Sequence, residues 1–189
     1  MLHKYIELIY DRVNDHLNSN FEEKNILKIV NNLEINKYIT NTNVLKENSL
    51  ENYILINICD IKLEEITLNP HYYEQRGDSY IKCKKPFNFN IYIYFHSTFC
   101  NENYLKGISY LSSIISYFHS NSSFNNENTS EIIENNLSEF TVNIINDENN
   151  KCYDNLKIPY IPSFLVKLGL IPISGENNLN QTFAGIKQF

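Results

Sequence analysis

Between residues 87 and 118 the apolar period changes from two to between three and four almost without a break, and this switch limits the fold more than any other feature. In FNFNIYIYF, Phe87, Phe89, Ile91, Ile93 and Phe95 fall on one face of a strand, and Asn88, Asn90, Tyr92 and Tyr94 on the other, because successive side chains of an extended chain point to opposite sides. From Asn101 onward, Tyr104, Leu105, Ile108, Leu111, Ile115 and Phe118 recur at helical spacing, with Asn101 as the expected cap. A strand feeding straight into an amphipathic helix predicts a sheet packed by helices.

The rest of the chain supplies partners for that unit. Leu2, Tyr5, Ile6, Ile9, Val13 and Leu17 are spaced by three and four, which predicts an amphipathic helix over 2–17. Residues 18–51 alternate short apolar groups with Asn-rich pieces and predict short strands and a mobile loop. A β-branched and aromatic run predicts a long strand over 51–68, closed by Asn69-Pro70. Gly77-Asp78 predicts a reversal within a finger spanning 69–86. The polar stretch 119–131 reads as a surface loop. Alternation at Phe140, Val142 and Ile144, and again over Phe164, Val166, Leu168 and Leu170, predicts two more strands, with one helical turn expected over 147–155. Pro159 and Pro162 bracket the entry to the last strand, where a missing N–H donor is tolerated. The fold class expected is α+β, a mostly antiparallel sheet packed by two main amphipathic helices, with 1–173 as one domain and 174–189 as a C-terminal arm.

Charge narrows the function. Sixteen Lys and Arg against 22 Asp and Glu give a net charge of −6, the wrong sign for a protein that neutralises phosphates, so no nucleic-acid partner is expected. Arg12 and Arg76 are the only arginines, which leaves little for bidentate phosphate or carboxylate clamps. The acidic residues near the N-terminus do not suit a signal peptide, and there is no apolar run of the roughly 18 residues a membrane span requires. Synthesis in the cytoplasm is the expectation. Ala184 is the only alanine, so the helices must rest on apolar packing more than on intrinsic propensity.

Candidate chemistry is sparse. Cys59, Cys83, Cys100 and Cys152 form no CxxC pair and have no His at ligand spacing, so they read as reduced, mostly buried thiols. The five histidines, His3, His16, His71, His96 and His119, belong to no motif. His96 ends the alternating strand on its non-Phe face, where a surface or hydrogen-bonded role is expected. Asp60, Glu64 and Glu65 form the densest acidic group, read as solvated strand-end charges rather than a cation site. No catalytic residue, metal or cofactor is assigned. Tyr72, Tyr73 and Arg76 in HYYEQRGDSY are candidate partner contacts.

The order of these segments resembles the cap, or tail-terminator, proteins of extracellular contractile injection systems of the antifeeding-prophage type. The residues carrying the resemblance are the opening helix, the YILINI strand with Asn57, the KPFNFNIYIYF strand, then Tyr104, Leu111 and Phe118 in the helix, and Tyr160, Pro162, Ser163 and Lys167 in IPYIPSFLVKLGL. Against the family pattern, Cys59 precedes a lone Asp60, the Glu pair falls at 64 and 65, and Gly169 stands where a basic residue is common. Longer members carry a further C-terminal domain, and the chain resembles a member with the N-terminal domain only.

The resemblance implies a phage tail-terminator-like fold and a structural, non-enzymatic role. It implies a homohexameric ring on the baseplate-distal end of an inner tube and its sheath, with tube and sheath proteins as partners, in a particle assembled in the cytoplasm and either released or retained. Phe183, Ile186 and Phe189 in the arm are candidate contacts to a neighbouring protomer or sheath. Two alternatives stand beside it. One is a small ligand-binding or immunity-type protein-binding module with a closed apolar pocket. The other is an enzyme using His71 or His96 with Glu74 or Asp60.

Overall fold

The computed structural model describes residues 2–35, 50–64, 72–76, 79–83, 87–145 and 161–173. Helix α1 (Leu2–Asn20) buries Tyr5, Ile6, Leu8, Ile9, Val13 and Leu17, the stripe that the spacing predicts. Its last-turn carbonyls find partners beyond the helix: Phe21 N–H donates to Leu17 O at 3.0 Å and the Lys24 ammonium reaches back to Asn18 O. The chain then forms β1 (Leu27–Ile29), a helical turn opening at 32–35, and β2 (Ile54–Leu63). A hairpin of β3 (Tyr72–Arg76) and β4 (Ser79–Cys83) leads into β5 (Phe87–Ser97), and Arg76 pairs with Ser79 across the expected reversal.

After β5, the cap differs from the expectation. Asn101 takes a left-handed φ of 51° and opens a 3-10 turn, Asn101–Asn103; helix α2 runs Tyr104–Ser120 with Asn103 at its N-cap and no side-chain cap bond. Residues 119–131 are not all loop either. Strand β6 (Ser123–Phe124) and helix α3 (Ser130–Glu134) occupy part of this stretch, followed by β7 (Phe140–Ile145) and β8 (Ser163–Ile173). The predicted turn over 147–155 and the 174–189 arm lie outside the described residues.

Six strands form one sheet in the order β1-β2-β5-β8-β7-β6, with β1 parallel to β2 and every other neighbour antiparallel; β3 and β4 pair separately. α1 and α2 pack on one face, over Ile54, Ile56, Ile91, Ile93, Phe95, Val142, Val166 and Leu168. The architecture is α+β as predicted.

The buried stripe of α2 is offset from the predicted one. Gly107, Tyr110, Leu111, Ile114 and Phe118 face inward, while Tyr104, Leu105 and Ile115 are exposed. Gly107 accounts for the offset, because a Cβ there would lie 2.5 Å from Phe99 Cβ and 2.2 Å from Ser97 Oγ. The helix therefore turns its one side-chain-free residue onto the end of β5 and rotates Leu105 outward.

The opposite face of the sheet is not a plain solvent face. Leu55 packs with Val30 and Ile35 there, and Asn57, Asn90 and His96 are each about as buried as the aliphatic core.

Candidate functional site

The family-motif residues divide into three groups. Leu111 and Phe118 are core: Phe118 is 1% exposed and its ring meets Phe95 edge-on, with centroids 5.7 Å apart. They hold α2 to the sheet and offer nothing to a partner.

The second group is gathered at the end of the sheet where β5 finishes and β8 begins. Ser97 N donates to Pro162 O at 2.9 Å, and Ser163 sits opposite His96 in the β5–β8 ladder. Tyr104 and Pro162 line one groove of about 520 Å³ with Thr98, Phe99, Cys100 and Ile161. Its floor is fixed by Thr98, whose N–H donates to Tyr53 O at 2.9 Å while its Oγ1 accepts from Tyr53 N at 3.1 Å. Exposed Leu105 follows Tyr104 in the same turn. The result is an open, aromatic and aliphatic rim, unlike the closed apolar pocket that the ligand-binding alternative requires. Tyr160, the remaining residue of that motif, lies outside the described residues.

The third group lies on the polar face of the sheet. Asn57 donates through Nδ2 to Asn32 Oδ1 at 2.7 Å, and Lys167, paired with Tyr92 and Asn143 in the ladders, places Nζ 3.9 Å from Glu64 Oε1. Gly169 lies beside them. A Cβ at that position would sit 3.0 Å from Thr141 Oγ1, close enough that Thr141 would have to give, and in ordinary contact with Lys167 Cε at 3.6 Å.

Asp60 pairs with Lys62 at 3.0 Å, so Asp60 and Glu64 each face a lysine rather than water alone. Glu65 lies outside the described residues. Cys59 and Cys100 are in no disulfide and half-buried, not buried as expected, and Cys59 Sγ donates to Tyr92 O at 3.4 Å. Cys59 is lifted by a bulge between Ile58 and Asp60, and Cys100 by its place on the groove rim.

His96 is 4% exposed, so the surface option for it is set aside. Burial pushes its pKa down from 6.5 to about 4, and its ring stacks with Tyr94 at 5.4 Å. In the sheet His96 faces Leu55 while Asp60 faces Tyr92, which separates the two by about 13 Å along the strands at roughly 3.3 Å per residue. The His96–Asp60 version of the enzyme alternative fails on that geometry. His71 lies outside the described residues, and Glu74 lies on β3, of which the backbone alone is described. The same holds for Tyr72, Tyr73 and Arg76. Phe183, Ile186 and Phe189 also lie outside the described residues. Among the described residues no three His, Cys, Asp or Glu side chains gather in a way that would hold a metal ion, and no helix is long and apolar enough to cross a membrane.

The ion pairs escaped the sequence reading. Arg12 Nη2 meets Glu131 Oε2 at 2.6 Å, tying α1 to α3, and Lys106 on α2 pairs with Glu23; no local pattern signals pairs formed across such lengths of chain.

Fold and site together define a small α+β domain with helices on one face of its sheet and an open groove at the end where β5 finishes and β8 begins. Residues 7–182 match the family model of the Pvc16 N-terminal domain, and the chain belongs to that family. Among solved structures it is similar to a chain described as the sheath/tube terminator of an extracellular contractile injection system, PVC, in its extended state. The identity is 10% and the TM-score 0.45, over 72% of this chain and 48% of that one. The chain thus spans about half the length of that relative. No curated protein matches.

Proposed function

We propose that this chain is a structural cap, or tail terminator, of a contractile injection system. It sits as a homohexameric ring on the baseplate-distal end of the inner tube and sheath and ends their polymerisation. The observation that carries the reading is the match to the Pvc16 N-terminal domain over residues 7–182. The physical logic is that tube layers stack through repeated surfaces, so growth stops when a ring fits the last layer on one side and offers nothing stackable on the other. The two ends of the sheet suit such asymmetry: one carries the Tyr104–Pro162 groove, and the other leads into the β3–β4 hairpin.

In this reading the partners are other copies of the chain, the tube protein and the sheath protein. No catalytic step is involved. The 174–189 arm contacts a neighbour or the sheath through Phe183, Ile186 and Phe189, and the 69–86 finger, with Tyr72, Tyr73 and Arg76, faces the tube or the channel mouth. The particle assembles in the cytoplasm.

The test is to add the purified chain to tube and sheath subunits during polymerisation and measure particle lengths by electron microscopy. Shorter, uniformly capped particles are expected, and an unchanged length distribution rejects the proposal. Removal of residues 175–189 is expected to leave a folded chain that no longer yields sheathed particles of normal length; normal particles from that variant reject the arm's part in it.

A further inference from the structure

The two ends of the sheet carry an open groove and a tether. β5 finishes and β8 begins at one end, where His96 faces Ser163; at the other end Phe87 faces Ile173, the last residue of β8. The groove of about 520 Å³ opens at the first end, and residues 174–189 follow from the second. From Ser163 to Ile173 the strand rises by about 3.3 Å per residue, which sets the two ends about 33 Å apart.

The groove is preformed and apolar. Buried Phe99 lies in its floor with its ring 5.2 Å from that of Tyr110, and Thr98 is pinned to Tyr53. Cys100, Tyr104, Ile161 and Pro162 complete the wall, and the described residues that line it include no charged side chain. Tyr104 is 46% exposed, and Leu105, next in the helix, is 77% exposed, more than any other large apolar side chain among the described residues. A rigid apolar hollow beside exposed aromatic and aliphatic side chains is the mark of a contact surface.

The sequence beyond β8 has two parts. Residues 174–182, SGENNLNQT, hold one large apolar side chain, Leu179. Residues 183–189, FAGIKQF, place Phe183, Ile186 and Phe189 three apart, the spacing of anchors that enter a groove as one helical face. Glu176 and Lys187 are the only charges in 174–189 and cancel, whereas the whole chain carries −6. Copies with that net charge repel each other, and an uncharged groove that receives a neutral tail is a junction that escapes the repulsion.

Reach decides whose groove the tail enters. For the three anchors to seat together, Phe183 must arrive at the groove, and it stands only ten positions beyond Ile173. Fully extended, that stretch covers at most about 36 Å, so a return to the groove of its own copy needs a straight, taut path back along the whole sheet. A flexible stretch of that length spans about 17 Å on average. The tether thus favours a groove brought to the far end of the sheet by another copy.

We propose that Phe183, Ile186 and Phe189 of one copy seat in the Tyr104–Pro162 groove of the next. Donor and acceptor lie at opposite ends of the subunit, so each copy gives its tail at one end and takes a tail at the other. Two different surfaces meeting at every junction make a ring or a filament rather than a symmetric dimer. The proposal rests on the terminator reading for its setting, and within that reading it makes the arm's partner a second copy rather than the sheath.

The test compares the full chain, Tyr104→Glu and the triple variant Phe183→Ser, Ile186→Ser, Phe189→Ser by native mass spectrometry and light scattering, with circular dichroism to follow folding. Position 104 is exposed and opens α2, where a carboxylate suits the helix N-terminus; Leu105→Glu is the second groove variant if Tyr104→Glu loses structure. The wild type is expected as a multi-copy ring and each variant alone as one copy of 22.3 kDa. Mixed in equal amounts, the groove variant and the tail variant should stop at pairs, because an intact tail meets an intact groove once and leaves only a blocked groove and a blunt tail outside. A wild type of one copy, as when the tail folds onto its own groove or the groove takes a sheath segment instead, overturns the proposal. Variants that keep the wild-type mass, or a mixture that stays at one copy or grows beyond pairs, overturn it too. A wild type that arrests tube growth while its ring ignores these substitutions leaves the terminator reading standing. A ring that behaves as described and never arrests tube growth does the reverse.

Discussion

Gly107→Ala sets two effects of opposite sign against each other. On helix propensity alone, alanine in α2 should stabilise the chain by about 1 kcal/mol. Position 107, however, is pressed against the end of β5, where the new methyl would lie 2.5 Å from Phe99 Cβ and 2.2 Å from Ser97 Oγ. Carbon atoms prefer about 3.5–4.0 Å, so α2 must retreat by about 1 Å or turn, and Phe99 Cβ cannot swing aside without its backbone. That retreat loosens Tyr110, Ile114 and Phe118, all essentially excluded from solvent.

Overpacking of this kind costs about 1–3 kcal/mol; set against the propensity gain of about 1 kcal/mol, a net loss of about 1 kcal/mol is expected. For a chain of this size that lowers Tm by roughly 2–4 °C. Thermal and urea unfolding followed by circular dichroism measure it. Ser97→Ala in the same background should return only part of the loss, because the Phe99 contact remains. A Gly107→Ala protein as stable as the wild type, or more stable, refutes the close seating of α2 and the explanation of its offset stripe.

Other perturbations separate the remaining contributions. His96 is neutral in the folded chain because burial holds its pKa at about 4, while the unfolded chain takes up its proton below about pH 6.5. Its contribution is thus complete above pH 6.5 and falls by up to about 3 kcal/mol as pH drops to 4; urea midpoints against pH should show this slope, and His96→Gln should flatten it. Tyr5→Phe removes the hydroxyl that accepts Ser138 N–H at 2.9 Å, at a cost of about 1–2 kcal/mol, and hydrogen exchange at Ser138 should quicken several-fold. Arg12→Ala breaks the 2.6 Å pair with Glu131, whose side chains are 31% and 37% exposed, so solvent screening limits the loss to under about 1 kcal/mol. The Glu131 carboxyl is held below its usual value first by a bond from its own backbone N–H and also by Arg12. Its contribution is therefore present above about pH 4.5 and lost as pH falls through the lower folded value, and an NMR titration of Arg12→Ala should find it only partly restored.

Elements with a strong local period were legible, and those decided by distant contacts were not. β5 and α1 follow from alternation and from three-four spacing, because every residue in those stripes reports the same buried face. α2 was found, but its buried face was misassigned between Leu105 and Tyr110. The sequence there offers two overlapping apolar stripes, and the choice between them lies in Gly107, whose significance depends on Phe99 lying across from it. β6 escaped notice because two residues carry no period, and its existence depends on Phe124 stacking on Phe140 at 4.9 Å. The buried polar row on the second face was hidden for a related reason: Asn57, Asn90 and His96 look solvent-facing by residue type, and what covers them is set by tertiary packing.

The same distinction governs the two edges of the sheet. Ile61 and Ile144 could be placed on strands from their neighbours, but their exposure could not, since among the described residues it follows from where β1 and β6 stop. Both edge strands, of three residues and two, are too short to carry a period, and each is held by contacts far away in the sequence: β1 pairs with β2 about 27 positions on, and Phe124 stacks on Phe140 at 4.9 Å.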